Sequence, residues 1–165
     1  MLIAAVNWSE VNALATCVLA LGLLGGFAAA VFAAQQARET RRTREAQMAA
    51  EFFRRWNEEA LVEARRLVAR YKSADDLREA FAAYVAADAP EAYVFYRELD
   101  FFEQLAAFEI QGAIDFNLIE LMLGPTLVER FEMWKPTMDA MEREHPYPNF
   151  EVLVAKIRET TSQTA

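Results

Sequence analysis

Acid–base and metal chemistry need carboxylates, histidines or cysteines held in perturbed or convergent settings, and this 165-residue chain offers few. Glu98 and Glu109 are the candidate buried carboxylates. Both fall in the gap between two apolar arcs of one helical pattern, the wrong place for a solvated acid. Eleven residues separate them, about 16 Å along a helix axis, too far to share a proton or a metal ion. Two readings stay open. Each is tied by a cation such as Arg130 or by a tyrosine hydroxyl, or each lies at a helix–helix edge and reaches water. His145, the single histidine, sits between Glu144 and Pro146 and cannot build an HExxH or paired-histidine site. Cys17, the single cysteine, lies within an apolar run and reads as a small buried hydrophobe rather than a nucleophile. There is no CxxC, no P-loop and no GxGxxG. No residue is therefore assigned as catalytic, as cofactor-binding or as a metal ligand, and no cofactor is expected.

The elements that would position these groups are all helical. Proline and glycine number five each, Ala, Leu, Glu and Arg dominate, and no stretch alternates with period two. The segment Glu91–Gln111 is entered at Pro90 and closed at Gly112. Phe95, Leu99, Phe102, Ala106 and Ile110 lie on one arc, and Phe101, Leu105 and Phe108 lie on a neighbouring one. Together they cover more than half the circumference, so this is the expected central helix. Before it, Met48, Phe52 and Trp56 repeat at i+4. Asn57 with Glu58 and Glu59 then starts a helix burying Leu61, Ala64, Leu67, Val68 and Tyr71. Ser73 and Asp76 form a capping-box pattern opening a helix to about Ala87 that buries Leu77, Phe81, Tyr84 and Val85. After it, Asp115 caps a short helix over Phe116–Leu123. Gly124-Pro125 closes that helix and starts another from Thr126 to about Glu144, kinked at Pro136. Asn149 caps a last helix packing Phe150, Leu153, Val154 and Ile157, and Thr160–Ala165 is expected to fray.

The amino-terminal stretch Val11–Ala34 contains no charge and no proline. It is long enough to cross a hydrocarbon core of about 30 Å, and it predicts a transmembrane helix. The rival, a cleaved signal peptide, is disfavoured by an amino terminus without Lys or Arg and by an apolar run beyond the usual ~7–15 residues. Trp8 stands at the depth of an interfacial ring. Gly22, Gly26 and Ala30, continued by Ala34, make a small-xxx-small face that either packs against another span or reflects span composition alone. Arg38, Arg41, Arg42 and Arg44 follow the apolar run, and the amino-terminal flank carries no Lys or Arg. The positive-inside bias then puts the amino terminus outside and the main domain in the cytoplasm.

Charge repeats this polarity. Gln35 to Lys72 carries ten Lys/Arg against six Asp/Glu, whereas Ser73 to Ala165 carries seven against eighteen, within a net charge of −8. The basic residues are not gathered on the folded domain, which argues against nucleic acid as a partner and for a lipid bilayer. The expected fold class is all-α: a tail (1–10), a transmembrane helix (11–34), a basic helical stalk (35–56) and a cytoplasmic helical bundle (57–165).

Trp8-Ser9 before the apolar run, an Arg-rich helix entering an aromatic segment, Phe101-Phe102-Glu103, Gly112-Ala113-Ile114-Asp115, Trp134, Pro136 and Phe150-Glu151 follow one another in order. This order resembles a bacterial family of small, single-span helical proteins catalogued only as a domain of unknown function. The resemblance implies a single-pass protein of the bacterial inner membrane and carries no activity with it. The function expected is a membrane-anchored interaction module or accessory subunit of a membrane assembly, associating with a protein partner or a second copy through the transmembrane helix. The alternative is a membrane-bound enzyme with an unrecognised carboxylate site. An apolar surface groove favours the first, and two near carboxylates in a pocket favour the second.

Overall fold

The computed structural model describes residues 8–141 and 146–164; in the first helix, side chains are described at Thr16, Leu19, Gly22, Leu23 and from Gly25 onward. Among the described residues there are six helices and no strand: α1 (Trp8–Trp56), α2 (Glu59–Val68), α3 (Ala74–Ala86), α4 (Pro90–Ile110), α5 (Phe116–Asp139) and α6 (Pro148–Thr164). The chain divides into two compact units, Met1–Thr43 and Arg44–Ala165.

In the first unit α1 is unbroken, as expected of a segment without proline. Its described apolar side chains Leu19, Leu23, Phe27, Val31 and Phe32 are exposed. Among the described residues no helix is long and apolar enough to cross a membrane. The expected span Val11–Ala34 therefore gains no support there, and most of its amino-terminal half, Cys17 included, lies outside the described side chains, as does Trp8. His145 lies outside the described residues altogether.

In the second unit α4 is the hub. It packs against α2, α3 and α6, and α5 packs against α3 and α6. The end of α1 joins through rings: Phe52 meets Phe101 at 5.7 Å and Trp56 stacks on Phe101 at 5.2 Å. Deeper in, Phe102 stacks on Phe150 at 4.9 Å, and Trp134 stands edge-on to Phe95 at 5.6 Å. Such ring pairs contribute roughly 0.5–1.5 kcal/mol each beyond the apolar area they bury. Phe95, Leu99, Phe102 and Ala106 are fully buried, which is what a helix with neighbours on several sides requires.

Several boundaries differ from expectation. Asn57 ends α1 instead of starting α2: its side-chain amide donates to the Phe53 carbonyl at 2.9 Å, and Glu58 takes the extended cap position. Tyr71 lies beyond α2, beside Phe95, with its hydroxyl pushed up to about 12 by burial and by its hydrogen bond to Tyr84. Val85 and Ile110 sit near helix ends and are exposed, because the bundle does not extend past them. Ser73 does cap α3, its hydroxyl accepting from the Asp76 N–H at 3.1 Å.

The largest difference is α5, one helix from Phe116 to Asp139 that runs through Gly124-Pro125 and Pro136. A residue before proline is pressed out of the helical region by clashes of the ring with its N–H and its Cβ, and Gly124 is spared the second of these. The carbonyls that lose a partner to Pro125 and Pro136 belong to Leu121 and Glu132, both exposed residues with access to water. The last helix is also longer than expected, continuing to Thr164. Thr160 there is held by Glu120 of α5.

Candidate functional site

Among the described residues of the second unit, Glu98 is the one fully buried acid. It sits on the face of α4 shared with Phe95, Leu99 and Phe102, so the same periodicity that buries the rings buries it. Its two oxygens have different neighbours. Oε2 accepts the Trp134 indole N–H at 2.9 Å. Oε1 faces the Arg130 Nε at 3.6 Å, an ion-pair distance without a hydrogen bond, and has no hydrogen-bond partner. Arg130 and Trp134 are one helical turn apart on α5, which is why they reach the same carboxylate. Arg65 on α2 adds a weaker attraction, and its guanidinium lies over the Trp56 ring at 4.2 Å.

Burial raises the Glu98 carboxyl above the ordinary glutamate range, and the attractions of Arg130, the indole N–H and Arg65 oppose that rise only in part. Burial likewise lowers Arg65 from its usual value, with Arg130 adding to the fall and Glu98 opposing it. The result is an acid between cations from two other helices, linking α2, α4 and α5. With no exposure in this conformation, it faces only the side chains of the helices packed around it.

Glu109 is separate from this cluster. It accepts from Lys156 of α6 at 2.6 Å, and the same ammonium lies over the Phe116 ring at 4.2 Å. Neither acid keeps the open-edge position: Glu98 is 0% exposed and Glu109 9%. The spacing along α4 keeps them apart, each with its own cation. Among the described residues no group of acids, histidines and cysteines could hold a metal ion.

Two further contacts had no signal in the sequence. Glu103 of α4 caps α6 from outside: its carboxylate accepts from the Phe150 N–H at 2.9 Å and from the Asn149 N–H and side-chain amide at 3.3 and 2.6 Å. It does the work expected of Asn149, satisfying amides left open at a helix start. The second is Trp134 as the donor to Glu98. Its spacing from Arg130 was legible, but its partner was not.

On the surface, α5 and α6 enclose an apolar groove of about 650 Å³ over Gly124, Pro125, Val128 and Ile157, edged by Glu120, Arg158, Thr161 and Ser162. A more polar groove of about 470 Å³ runs along α2 and α4, where Glu59, Glu63 and Glu91 alternate with Arg66 and Arg70. Gly22, Gly26 and Ala30 lie on the exposed first unit, where a Cβ added to either glycine would meet nothing within 4 Å. Arg38, Arg41, Arg42 and Arg44 are all exposed.

Fold and site together define an all-α domain: a helical bundle with a fully buried acid set between cations of two other helices and with an apolar groove on its surface. The chain belongs to the family described as a domain of unknown function (DUF4760), which matches residues 20–157. No curated protein and no solved structure matches it.

Proposed function

We propose that the chain is a membrane-tethered helical interaction module, held by Val11–Ala34 and offering its α5–α6 groove to an apolar segment of a partner protein. The observation that carries the interaction reading is that groove, a concave apolar floor of Gly124, Pro125, Val128 and Ile157 with a polar rim. The exposed Leu121 and Met122 precede it on α5. Supporting the tether are the uncharged run itself and the outward apolar side chains Leu23, Phe27, Val31 and Phe32, which water would disfavour. The arginines after the run favour an amino terminus outside and a cytoplasmic bundle, in the inner membrane of a bacterium. Gly22, Gly26 and Ala30 would let a second span approach closely, from another copy or from the partner.

The α2–α4 groove favours the second reading, an enzyme with a carboxylate site. It is lined by three glutamates, yet two arginines stand among them and it holds no Ser, Thr, Cys or His to act as nucleophile or base. The experiment that separates the readings places a photo-crosslinking residue at Val128 in the full chain and another at Glu79, which is exposed on α3. The interaction reading expects a discrete cross-linked product from position 128 alone, lost when Pro125→Arg is added to put a charge in the groove. Equal labelling at both positions, or none, would remove the groove as a docking surface.

A further inference from the structure

We infer that Arg38, Arg41 and Arg42 bind the headgroups of anionic phospholipids, so that the segment selects the lipids around the tether as well as orienting it. This rests on the membrane-tether reading above. All three side chains are exposed on α1. They begin four residues after Ala34, about 6 Å along the axis, and Arg42 stands about 12 Å along it. A headgroup layer is about 5–7 Å thick on each side of the hydrocarbon, and charges act beyond it over a Debye length of about 8–10 Å. All three therefore fall within the reach of phosphate charge. Phe27, Val31 and Phe32 are exposed and apolar, and Gln35 and Gln36 stand between them and Arg38, so the change from hydrocarbon-matched to phosphate-matched surface happens within two turns of Phe32.

What the arginines already hold decides between a lipid surface and an internal role. Further along the same helix Arg54 is paired with Glu51 and Glu58, and Arg55 donates to Gln104 and lies over Phe52. Those two are committed within their own unit. Arg38 and Arg42 have no ion pair or hydrogen bond among the described residues, and Glu39 is the one acid between Gln35 and Thr43. The neighbouring Thr40 and Thr43 hydroxyls donate to backbone carbonyls one turn back, Gln36 at 2.8 Å and Glu39 at 2.9 Å. That leaves the Arg38 and Arg42 guanidiniums as outward donors, with Arg41 adding exposed charge beside them, and guanidinium geometry matches phosphate oxygens two at a time.

The test reconstitutes the full chain in phosphatidylcholine vesicles containing a trace of spin-labelled phosphatidylglycerol or spin-labelled phosphatidylcholine. Electron spin resonance then reads the fraction of each label immobilised at the protein. The expected result is about threefold or greater preference for phosphatidylglycerol, falling with added salt. It should drop to parity in R38Q/R41Q/R42Q and persist in R54Q/R55Q. Parity in the parent, with the protein still resisting a carbonate wash, would overturn this inference and leave the tether standing. Loss of the protein from the vesicles in that wash would overturn both. A preference retained by R38Q/R41Q/R42Q would assign the selectivity to other residues and overturn the inference.

Discussion

Glu98 shows how one side chain sets both a stability term and its pH dependence. Glu98→Ala strips Arg130 of its counter-charge and the Trp134 indole of its acceptor while both stay largely buried, and should cost about 3–5 kcal/mol. Glu98→Gln keeps the shape and an acceptor for the indole, so it isolates the charge. Because burial raises this carboxyl, the native state holds its proton more tightly than the unfolded chain does. The stability linked to that proton is full below the unfolded value and is lost as pH rises through the native value. The parent should therefore lose stability relative to Glu98→Gln as pH climbs out of the ordinary glutamate range. Urea unfolding of both proteins across a pH series reads this directly, and a difference that stays flat would show that Glu98 keeps an ordinary affinity for its proton.

At the scale of elements, the helix ends determine how the bundle is assembled. The end of α4 is closed by Gly112 at a φ of 68°, with the Gly112 and Ala113 amides donating back to Glu109 and Phe108. The end of α3 uses the same double bond, from Asp88 to Val85 and from Ala89 to Tyr84, but puts an aspartate at a φ of 49°. Left-handed backbone costs a residue with a Cβ roughly 1–2 kcal/mol, partly offset by the entropy glycine loses on folding. Asp88→Gly should thus stabilise the domain by about 0.5–1 kcal/mol, and Gly112→Ala should destabilise it by about 1 kcal/mol, both read by thermal unfolding. The start of α6 depends on Glu103 instead of a local cap. Glu103→Ala should cost about 0.5–2 kcal/mol and raise amide exchange over 149–153 ahead of the rest of α6. Uniform protection across α6 in that variant would mean the helix start is held by packing alone.

For the whole molecule, the aromatic core lies within Arg44–Ala165, from Ala49, Phe52 and Trp56 through Ile157. Those residues produced alone should unfold in one cooperative step. Phe102→Ala should cost about 3–5 kcal/mol there, a large part of the 5–15 kcal/mol typical of a domain. Glu79→Ala, at an exposed position, should stay within about 0.5 kcal/mol. If Phe102→Ala unfolds like its parent, α4 is not the centre of the core and its aromatic face serves something outside the domain.

Sequence alone determined what is local. The 3.6-residue spacing of Phe95, Leu99, Phe102 and Ala106 marks the hub helix, and Ser73 and Asp115 mark helix starts. Each of these is set by neighbours within a turn or two of the chain. Tertiary structure decided what depends on distant partners. Trp134 reaches Glu98 across 36 positions and Glu103 caps Phe150 across 47, so no local pattern could report either contact. Helix α5 passes through two prolines for the same kind of reason. Local rules weigh the lost hydrogen bonds, whereas the fold sets against them the packing of Leu123, Leu127, Phe131 and Trp134 along one continuous face.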